Sequence, residues 1–369
     1  MLYADIDLDL SWSETELPQA ARTKHVHALH PYLGKYVPQL VETFLTRHFE
    51  PGDAIFDPFV GSGTTLVEAN VFGVRSVGCD ISAFNCLLSR VKTTKYSLGS
   101  LELALRVALD AARQHGPSNV DAASDWLKAW YSTRALGDLL AYRAAIADLD
   151  TDARDVARVI LSRSARSARQ TTHFDLDFPR KPTTKPYHCH KHKRICRPVD
   201  EGGKFLARYT QDTIRRLWSF AELQTPTPVD VRHEDSRFVQ LDTTVTGVIT
   251  SPPYPGLIDY HEQHRYAYEL LELADRRTEE LGAAEKGNSK GALQQYVDGM
   301  VAIFSNAREQ LERDGPIVIV VNDSKELYPE ILERAGLLLR QRLTRHVNRR
   351  TGRRAGEFFE DILVCAADA

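Results

Sequence analysis

The sequence predicts an α/β fold: a doubly wound, mostly parallel sheet that carries a largely helical, basic insert. Three observations support this. Short apolar runs at 54–56, 76–79, 246–250 and 315–323 read as buried strands, and stretches with helical apolar spacing alternate with them. The first run passes straight into a glycine-containing loop and then a helix, the way an α/β sheet builds a cradle at a strand end. Residues 97–228 interrupt the alternation with helices and a run of positive charge.

Composition sets the bounds. A chain of 369 residues, 43% hydrophobic and 26% charged, has the balance of a globular protein with one large domain or two smaller ones. The formal net charge of −3 confines any polyanion site to a local patch. Five cysteines, an odd number in a long chain, suit a reducing cytoplasm and not a disulfide scaffold. No signal peptide, membrane-length apolar run or internal repeat is expected.

Residues 1–24 read as a loosely held arm. His30-Pro31-Tyr32-Leu33-Gly34-Lys35-Tyr36-Val37-Pro38 follows, and then an amphipathic helix with Leu40, Val41, Phe44 and Leu45 on one side. After a Pro51-Gly52-Asp53 turn, strand 54–56 enters Asp57-Pro58-Phe59-Val60-Gly61-Ser62-Gly63-Thr64-Thr65, and 66–72 reads as a helix. Gly61 and Gly63 let the backbone approach a ligand, and the helix N-terminus offers unpaired N–H groups. The loop lacks the lysine of a triphosphate-binding loop. Strand 76–79 ends in Asp80, 23 positions after Asp57, the spacing of an acid that takes ribose hydroxyls. A tight strand–helix turn with a capping Asp is the bland alternative.

In the insert, 101–114, 135–147 and 203–222 read as helices, and Arg163, Arg166 and Arg169 recur at steps of three on one helical face. From Arg180 to Arg197 there are seven Lys or Arg residues and no Asp or Glu, with Lys191, Lys193 and Arg194 at its densest point. Uniform positive sign in an otherwise acidic protein suggests phosphate contacts, although a solvated charged loop is the usual reading of such a run. Cys189, His192 and Cys196, with His188 or His190, are candidate metal ligands, but their spacing fits no standard four-ligand finger and no metal is expected.

A strand pattern returns at 229–231, and an acid near its end, Asp235, lies 16 positions before Ser251. The run 246–250 then stops in Ser251-Pro252-Pro253-Tyr254. Two prolines make a rigid turn with outward carbonyls and no competing donor. Beside a hydroxyl and a flat ring, that ledge suits a planar, amino-bearing ligand such as a nucleobase. Helices are expected through Leu271, at 296–311 and at 329–335, with a mobile Gly- and Lys-bearing loop at 281–292. His261 and His264 read as hydrogen-bonding or phosphate-contacting side chains and not as metal ligands. Seven arginines and no acid between 340 and 354, among them Arg349, Arg350 and Arg353, form a second basic edge before a closing strand at 358–365.

Asp57-Pro-Phe-Val-Gly-Ser-Gly-Thr-Thr65 and Thr250-Ser-Pro-Pro-Tyr254 resemble the two hallmark motifs of amino-methylating DNA methyltransferases, the S-adenosylmethionine-dependent enzymes that modify N4 of cytosine or N6 of adenine. The 30–38 segment is similar to the one that precedes the cofactor loop in those that begin with it. Ser in place of Asp before Pro-Pro-Tyr is typical of the cytosine-N4 branch. The resemblance covers about 25–96 and 228–366. It implies a seven-stranded class I methyltransferase sheet of Rossmann-like type whose last two strands pair antiparallel. The implied catalytic domain is 25–96 with 229–369, and the insert 97–228 becomes the candidate target-recognition region. It also implies S-adenosylmethionine held by Tyr36, Asp57, Pro58, Phe59, Gly61, Gly63, Thr64, Thr65, Asp80, Ile81, Asp235 and Ser236, with Ser251, Pro252, Pro253 and Tyr254 at the acceptor.

The implied reaction is displacement of a methyl group by the amine of a cytosine flipped out of double-stranded DNA. Adenine-N6 methylation is the nearest alternative; RNA base methylation and a catalytically inactive DNA-binding specificity subunit are more distant ones. A prokaryotic, cytoplasmic enzyme is expected, monomeric or homodimeric, with a cognate restriction endonuclease as a partner.

Overall fold

The strands, in chain order, are Ala54–Asp57 (β1), Arg75–Cys79 (β2), Tyr187–Cys189 (β3), Arg194–Cys196 (β4), Val229–Arg232 (β5), Gly247–Thr250 (β6), Ile317–Val321 (β7), Leu337–His346 (β8) and Phe359–Ala367 (β9). The helices are Gln19–Arg22 (α1), Pro38–His48 (α2), Thr64–Phe72 (α3), Ala83–Thr93 (α4), Leu98–His115 (α5), Asp125–Trp130 (α6), Thr133–Ala145 (α7), Thr151–Ala168 (α8), Gly203–Ala221 (α9), Tyr260–Gln263 (α10), Arg265–Leu271 (α11), Lys290–Glu309 (α12) and Tyr328–Arg334 (α13). The computed structural model describes residues 7–173, 175–176, 179–312, 314–347 and 357–367.

Seven strands form one sheet in the order β5-β2-β1-β6-β7-β9-β8. The first five are parallel; β9 runs antiparallel to β7 and to β8. This is the expected doubly wound, seven-stranded sheet with an antiparallel final pair. The chain starts at β1, winds outward through β2 to β5, and returns to β6 on the other side of β1. The order therefore reverses between β1 and β6, and ligands of open α/β sheets bind at the carboxyl ends of strands at such a switch point.

Alternation along β7 explains the two layers. Ile317, Ile319 and Val321 pack with Val297, Met300 and Phe304 of α12 and Ile331 of α13, whereas Val318 and Val320 pack with Leu40, Val41 and Phe44 of α2. A third apolar cluster lies among α4, α5, α7, α8, α9 and α11, so most of the insert's helices share a core on the α4 side of the sheet. Each covers its own apolar stripe against the others. Among the described residues, no helix is long and apolar enough to cross a membrane.

Several local expectations change. Residues 7–24 are not a loose arm: the Asp7 N–H donates to the Thr344 carbonyl (2.6 Å), the Ser11 hydroxyl accepts from the His346 N–H, and Leu10 is buried. The helix expected at 296–311 starts at Lys290, because the Ser289 hydroxyl caps it by accepting from the Ala292 N–H. The last four residues of the supposed 281–292 loop are thus helix or its cap. The basic stretch holds a small antiparallel hairpin, β3–β4, that its polar, Pro-bounded sequence did not announce.

Candidate active site

Both expected motifs end on the switch point. Asp57 closes β1 and Thr250 closes β6, and the two are joined directly: the Thr250 hydroxyl donates to Asp57 Oδ1 (2.7 Å), while the Thr65 hydroxyl donates to Oδ2 (2.6 Å). The Phe59 N–H also donates to Oδ1 (3.1 Å). Tyr36 closes the chain of contacts through its hydroxyl on Thr65. Asp57 is therefore a buried joint that fixes the glycine loop to the Pro-Pro-Tyr strand. Burial pushes its carboxyl up to about 6, against the pull of these donors.

Above this joint lies a cavity of about 890 Å³, its mouth included, in the range of small-molecule sites. Tyr36, Pro58, Phe59, Gly61, Thr64, Asp80, Ile81, Asp235 and Ser236 line it, as do Ser251 and Pro253. Asp57, Gly63 and Thr65 lie beneath it instead. Gly63 has a left-handed backbone (φ +76°), and a Cβ there would stand 2.8 Å from the Ser89 hydroxyl. Its need for glycine is close packing of the loop on α4, not approach to a ligand. Gly61 (φ +48°) does face the cavity, beside the Tyr32 hydroxyl.

Asp80 binds the loop as well as bordering the space. Its carboxylate accepts from the Gly61 N–H (3.0 Å), the Ser82 N–H (2.8 Å) and the Asn85 amide (3.0 Å). Burial raises its pKa despite these donors. Asp235 is clamped by Arg237, whose Nε stands 3.0 and 3.1 Å from the two carboxylate oxygens.

Ser251 and Tyr254 face different spaces. The Ser251 hydroxyl donates to the Val320 carbonyl (3.0 Å), which commits its proton and leaves its lone pairs to accept. The Pro253 carbonyl is taken by the Tyr296 hydroxyl (3.0 Å); the buried Pro252 carbonyl accepts none of the described hydrogen bonds. Tyr254 lines a second cavity of about 800 Å³ with Asn322, Lys325, Tyr328 and Phe358. Its hydroxyl donates to Glu360 (3.0 Å), which is held by the buried Arg345 (2.6 Å), and Phe358 lies 6.4 Å from its ring. The Ser-Pro-Pro-Tyr turn is thus the wall between two cavities.

Of the other lining residues, His261 was expected as a hydrogen-bonding side chain, and the rest were not singled out from the sequence. Tyr32 and Tyr260 stack at 5.6 Å in the wall of the first cavity. Lys35 reaches the space with its ammonium on the His27 carbonyl (2.6 Å), and burial lowers it to about 8. Glu280 accepts from the Tyr260 N–H and from His261 Nδ1 (2.7 Å). His261 therefore belongs to a buried acid–imidazole pair, whereas His264 is a core ring packed on Tyr32 and Phe84. Tyr32 and Lys35 sit inside the quoted 30–38 segment and Tyr260 and His261 follow the Pro-Pro-Tyr turn, so position relative to the motifs was the available signal. Nothing in the sequence marks Arg237, Glu279 or Glu280.

Four buried polar atoms on cavity residues lack a partner among the described residues: Ser62 Oγ, Thr64 Oγ1, Asn85 Oδ1 and His261 Nε2. Such atoms cost free energy unless a ligand or water satisfies them. With the Asp80 carboxylate, the stacked Tyr32 and Tyr260 rings and the apolar Ile81 and Leu281, they fit an adenosyl group bearing an amino-acid tail.

The expected phosphate-binding residues divide. Arg163 pairs with Asp212 (2.6 Å) and lies over the Tyr209 ring at 4.2 Å; Arg169 is buried, donates to the Leu176 carbonyl and covers Tyr266. These two are internal braces, a correction to the one-face reading, with Arg166 half-buried between them. Lys191, Lys193 and Arg194 are exposed on the β3–β4 hairpin. Arg349, Arg350 and Arg353 lie outside the described residues. On β8, Arg342 pairs with Asp361 and Arg345 with Glu360, so part of the second basic edge is neutralised within the sheet. The candidate metal ligands also rearrange: Cys189, His192 and Cys196 converge with His173, not with His188 or His190.

Comparison with known proteins places these features. A DNA methylase family model matches residues 6–90. The chain is 36% identical to the Type II methyltransferase M.MjaII of Methanocaldococcus jannaschii, across 97% of this chain and 83% of that one. It is 23% identical to the Type II methyltransferase M.BsoBI of Geobacillus stearothermophilus, over 80% of this chain and 63% of that one. Solved structures overlap it loosely. The rRNA methyltransferase aviRa of Streptomyces viridochromogenes matches at 12% identity and a TM-score of 0.40, covering 97% of this chain and 96% of that one. TrmN of Thermus thermophilus matches at 12% identity and a TM-score of 0.35, over 91% of this chain and half (50%) of that one.

Proposed function

This chain belongs to the N6/N4 family of DNA methylases, and on that premise we propose that it methylates the exocyclic N4 of a cytosine flipped out of double-stranded DNA. It is a DNA methyltransferase that uses S-adenosylmethionine. When bound, that cofactor supplies a methyl group already activated on a sulfonium, so the chain's own residues need only position the acceptor and exclude water.

The observation that carries the reading is the Ser251 hydroxyl, its proton committed to the Val320 carbonyl at 3.0 Å. A hydroxyl so fixed presents lone pairs, and with the Pro252 carbonyl it forms an acceptor pair for the two hydrogens of an amine. Such bonds hold the nitrogen and favour its pyramidal, nucleophilic geometry over delocalisation into the ring. A carboxylate in place of Ser251 would face the Val320 carbonyl without a proton between them. The site is therefore built for the Ser-Pro-Pro-Tyr form, which the cytosine-N4 branch favours. Tyr254, its hydroxyl anchored by Glu360, offers its ring to the base from the second cavity.

In the first cavity, Asp80 is the acceptor for ribose hydroxyls, and Lys35 or Arg237 the cation nearest a carboxylate tail. The exposed Lys191, Lys193 and Arg194, within the insert, meet DNA phosphates. A companion endonuclease of the same sequence specificity is the expected partner of a Type II enzyme. The deciding experiment is nucleoside mass spectrometry of plasmid DNA from an expressing host. N4-methylcytosine is expected; N6-methyladenine with no N4-methylcytosine would overturn the base assignment while leaving the fold and cofactor intact.

A further inference from the structure

We propose that His173, Cys189, His192 and Cys196 form a structural zinc site that staples the basic β3–β4 hairpin to the segment leaving α8. The ligand atoms of all four residues lie within 4.8 Å of one another. Three separations are short: Cys189 Sγ to His173 Nδ1 is 3.5 Å, Cys189 Sγ to His192 Nδ1 is 3.7 Å, and Cys196 Sγ to His192 Nδ1 is 3.4 Å. With Zn–S and Zn–N bonds at their usual lengths, sulfur and nitrogen corners of a tetrahedron stand about 3.5 Å apart. The three distances bracket that value.

Hydrogen bonding alone accounts poorly for the cluster. The single lone pair of His192 Nδ1 can accept one S–H, yet two sulfurs converge on it. Cys189 Sγ faces two imidazole nitrogens with one proton to give. His173 Nδ1 also stands 3.0 Å from the Tyr187 hydroxyl, which accepts from the His173 N–H as well. A cation at the centre replaces this over-subscribed set by four bonds, and the Tyr187 oxygen still fixes the His173 backbone. Two thiolates and two neutral imidazoles with Zn²⁺ sum to zero charge. Soft sulfur with imidazole in a tetrahedron selects zinc over oxygen-seeking magnesium or calcium. All four positions are filled by protein, which marks a structural site and not a catalytic one.

The surroundings supply a reason. The hairpin strands are three residues each, and only their two cysteines are buried. Among the described residues they pair with each other and pack broadly on no other element. Two short strands do not hold together unaided in water, and here Lys191, Lys193 and Arg194 crowd the turn. Lys193 has a left-handed backbone (φ +51°), which lets the chain double back between His192 and Cys196. A metal fixes such a knuckle where an apolar core cannot.

The site is independent of which base is methylated, and so is its test. Full-length protein, purified under reducing conditions without chelator, is analysed by plasma mass spectrometry. One zinc per chain is expected in the wild type and in His188→Ala, and none in His173→Ala, Cys189→Ser or Cys196→Ser. Cofactor affinity by calorimetry reports that each variant keeps its sheet. Should a ligand variant fail to fold, cobalt exchanged into the wild type decides: intense tetrahedral ligand-field bands with a thiolate charge-transfer band support the site. Folded, cofactor-binding wild type without metal or cobalt bands would overturn it. So would a Cys189–Cys196 disulfide by thiol counting, or zinc retained in both cysteine variants.

Discussion

The switch-point site and the basic insert treat charge in opposite ways. At the switch point, carboxylates are drawn inward and wrapped in donors: Asp57 by two hydroxyls and an N–H, Asp80 by two N–H groups and an amide. In the insert, cations that look alike in the sequence are split, some folded inward as braces, some left on a hairpin with almost no core. Geometry fixed to a fraction of an ångström is what methyl transfer needs, and the edge of a buried sheet provides it. Phosphate contacts need charge and reach more than rigidity, and a small exposed hairpin suffices. Perturbing each region should therefore move different observables.

The largest effect is expected at the ledge. Ser251→Ala removes one acceptor of the amine while leaving the first cavity's other walls in place. Turnover should fall by about 10²–10³-fold, the usual cost of one positioned polar group in a reacting site. Cofactor affinity by calorimetry and DNA affinity by anisotropy should stay near wild type. A rate within a factor of a few of wild type in a tritiated-methyl assay would take Ser251 out of the chemistry, and with it the contrast between a reacting edge and a binding insert.

The next effect tests the split among the arginines. Burial alone would raise the Asp212 carboxyl, but Arg216, Arg163 and Arg215 hold it well below the usual range. Arg163→Ala removes one of these partners and the cation over Tyr209. A loss of about 1.5–3 kcal/mol in urea unfolding is expected, the range for a hydrogen bond to a charged group, since Arg215 and Arg216 still hold Asp212. Lys191→Ala should stay within about 0.5 kcal/mol of wild type, as exposed positions do. Equal small losses in both would mean that Arg163 is not an internal brace.

This division shows where the sequence stopped being legible. The doubly wound sheet and the meeting of the two motifs were legible, because a glycine loop and a Pro-Pro turn dictate local backbone and an α/β sheet leaves one place for both; the order of the strands was not. Residues that reach the cavity from a distance, such as Glu280 and Arg237, carry no local pattern; only the folded chain brings them in. Gly63 was legible as a glycine but not in its reason, since Ser89 lies on another helix. Helical spacing put Arg163, Arg166 and Arg169 on one face, but α8 ends at Ala168, Arg163 meets Tyr209 of α9 and Arg169 meets Tyr266 of α11; spacing does not say where a helix stops or whether a position meets solvent or the next helix. His173 escaped because sixteen positions separate it from Cys189, beyond the reach of a finger pattern.

A smaller effect belongs to the hairpin. Joint replacement of Lys191, Lys193 and Arg194 by Ala should weaken duplex DNA binding at low salt and leave thermal stability unchanged. In a plot of log affinity against log salt, each lost phosphate contact makes the slope shallower by about 0.9. A shift of about 2–3 is expected if all three reach the backbone. An unchanged slope would move DNA contact elsewhere in the chain.

The smallest expected effect comes from the buried joint, and pH isolates it. Asp57 rises from an ordinary 3.8 to about 6, with burial as the largest cause. Between these values the folded protein holds a proton that the unfolded chain releases. The group's stabilising contribution is therefore complete below about pH 4 and lost as pH climbs through 6. Above that the carboxylate is kept as an anion inside the sheet edge, at a cost in stability that its donors only partly offset. Asp57→Asn cannot titrate there. Relative to that variant, the wild type should gain on the order of 1 kcal/mol in denaturant unfolding as pH falls from 7.5 to 5. The opposite sign, with wild type gaining toward pH 7.5, would mean that the donors from Thr65, Thr250 and Phe59 outweigh burial and hold Asp57 as a favoured anion. The joint between the two motifs would then stabilise the fold by its charge, as the arginine-clamped Asp212 does in the insert, and the two regions would differ less than their burial suggests.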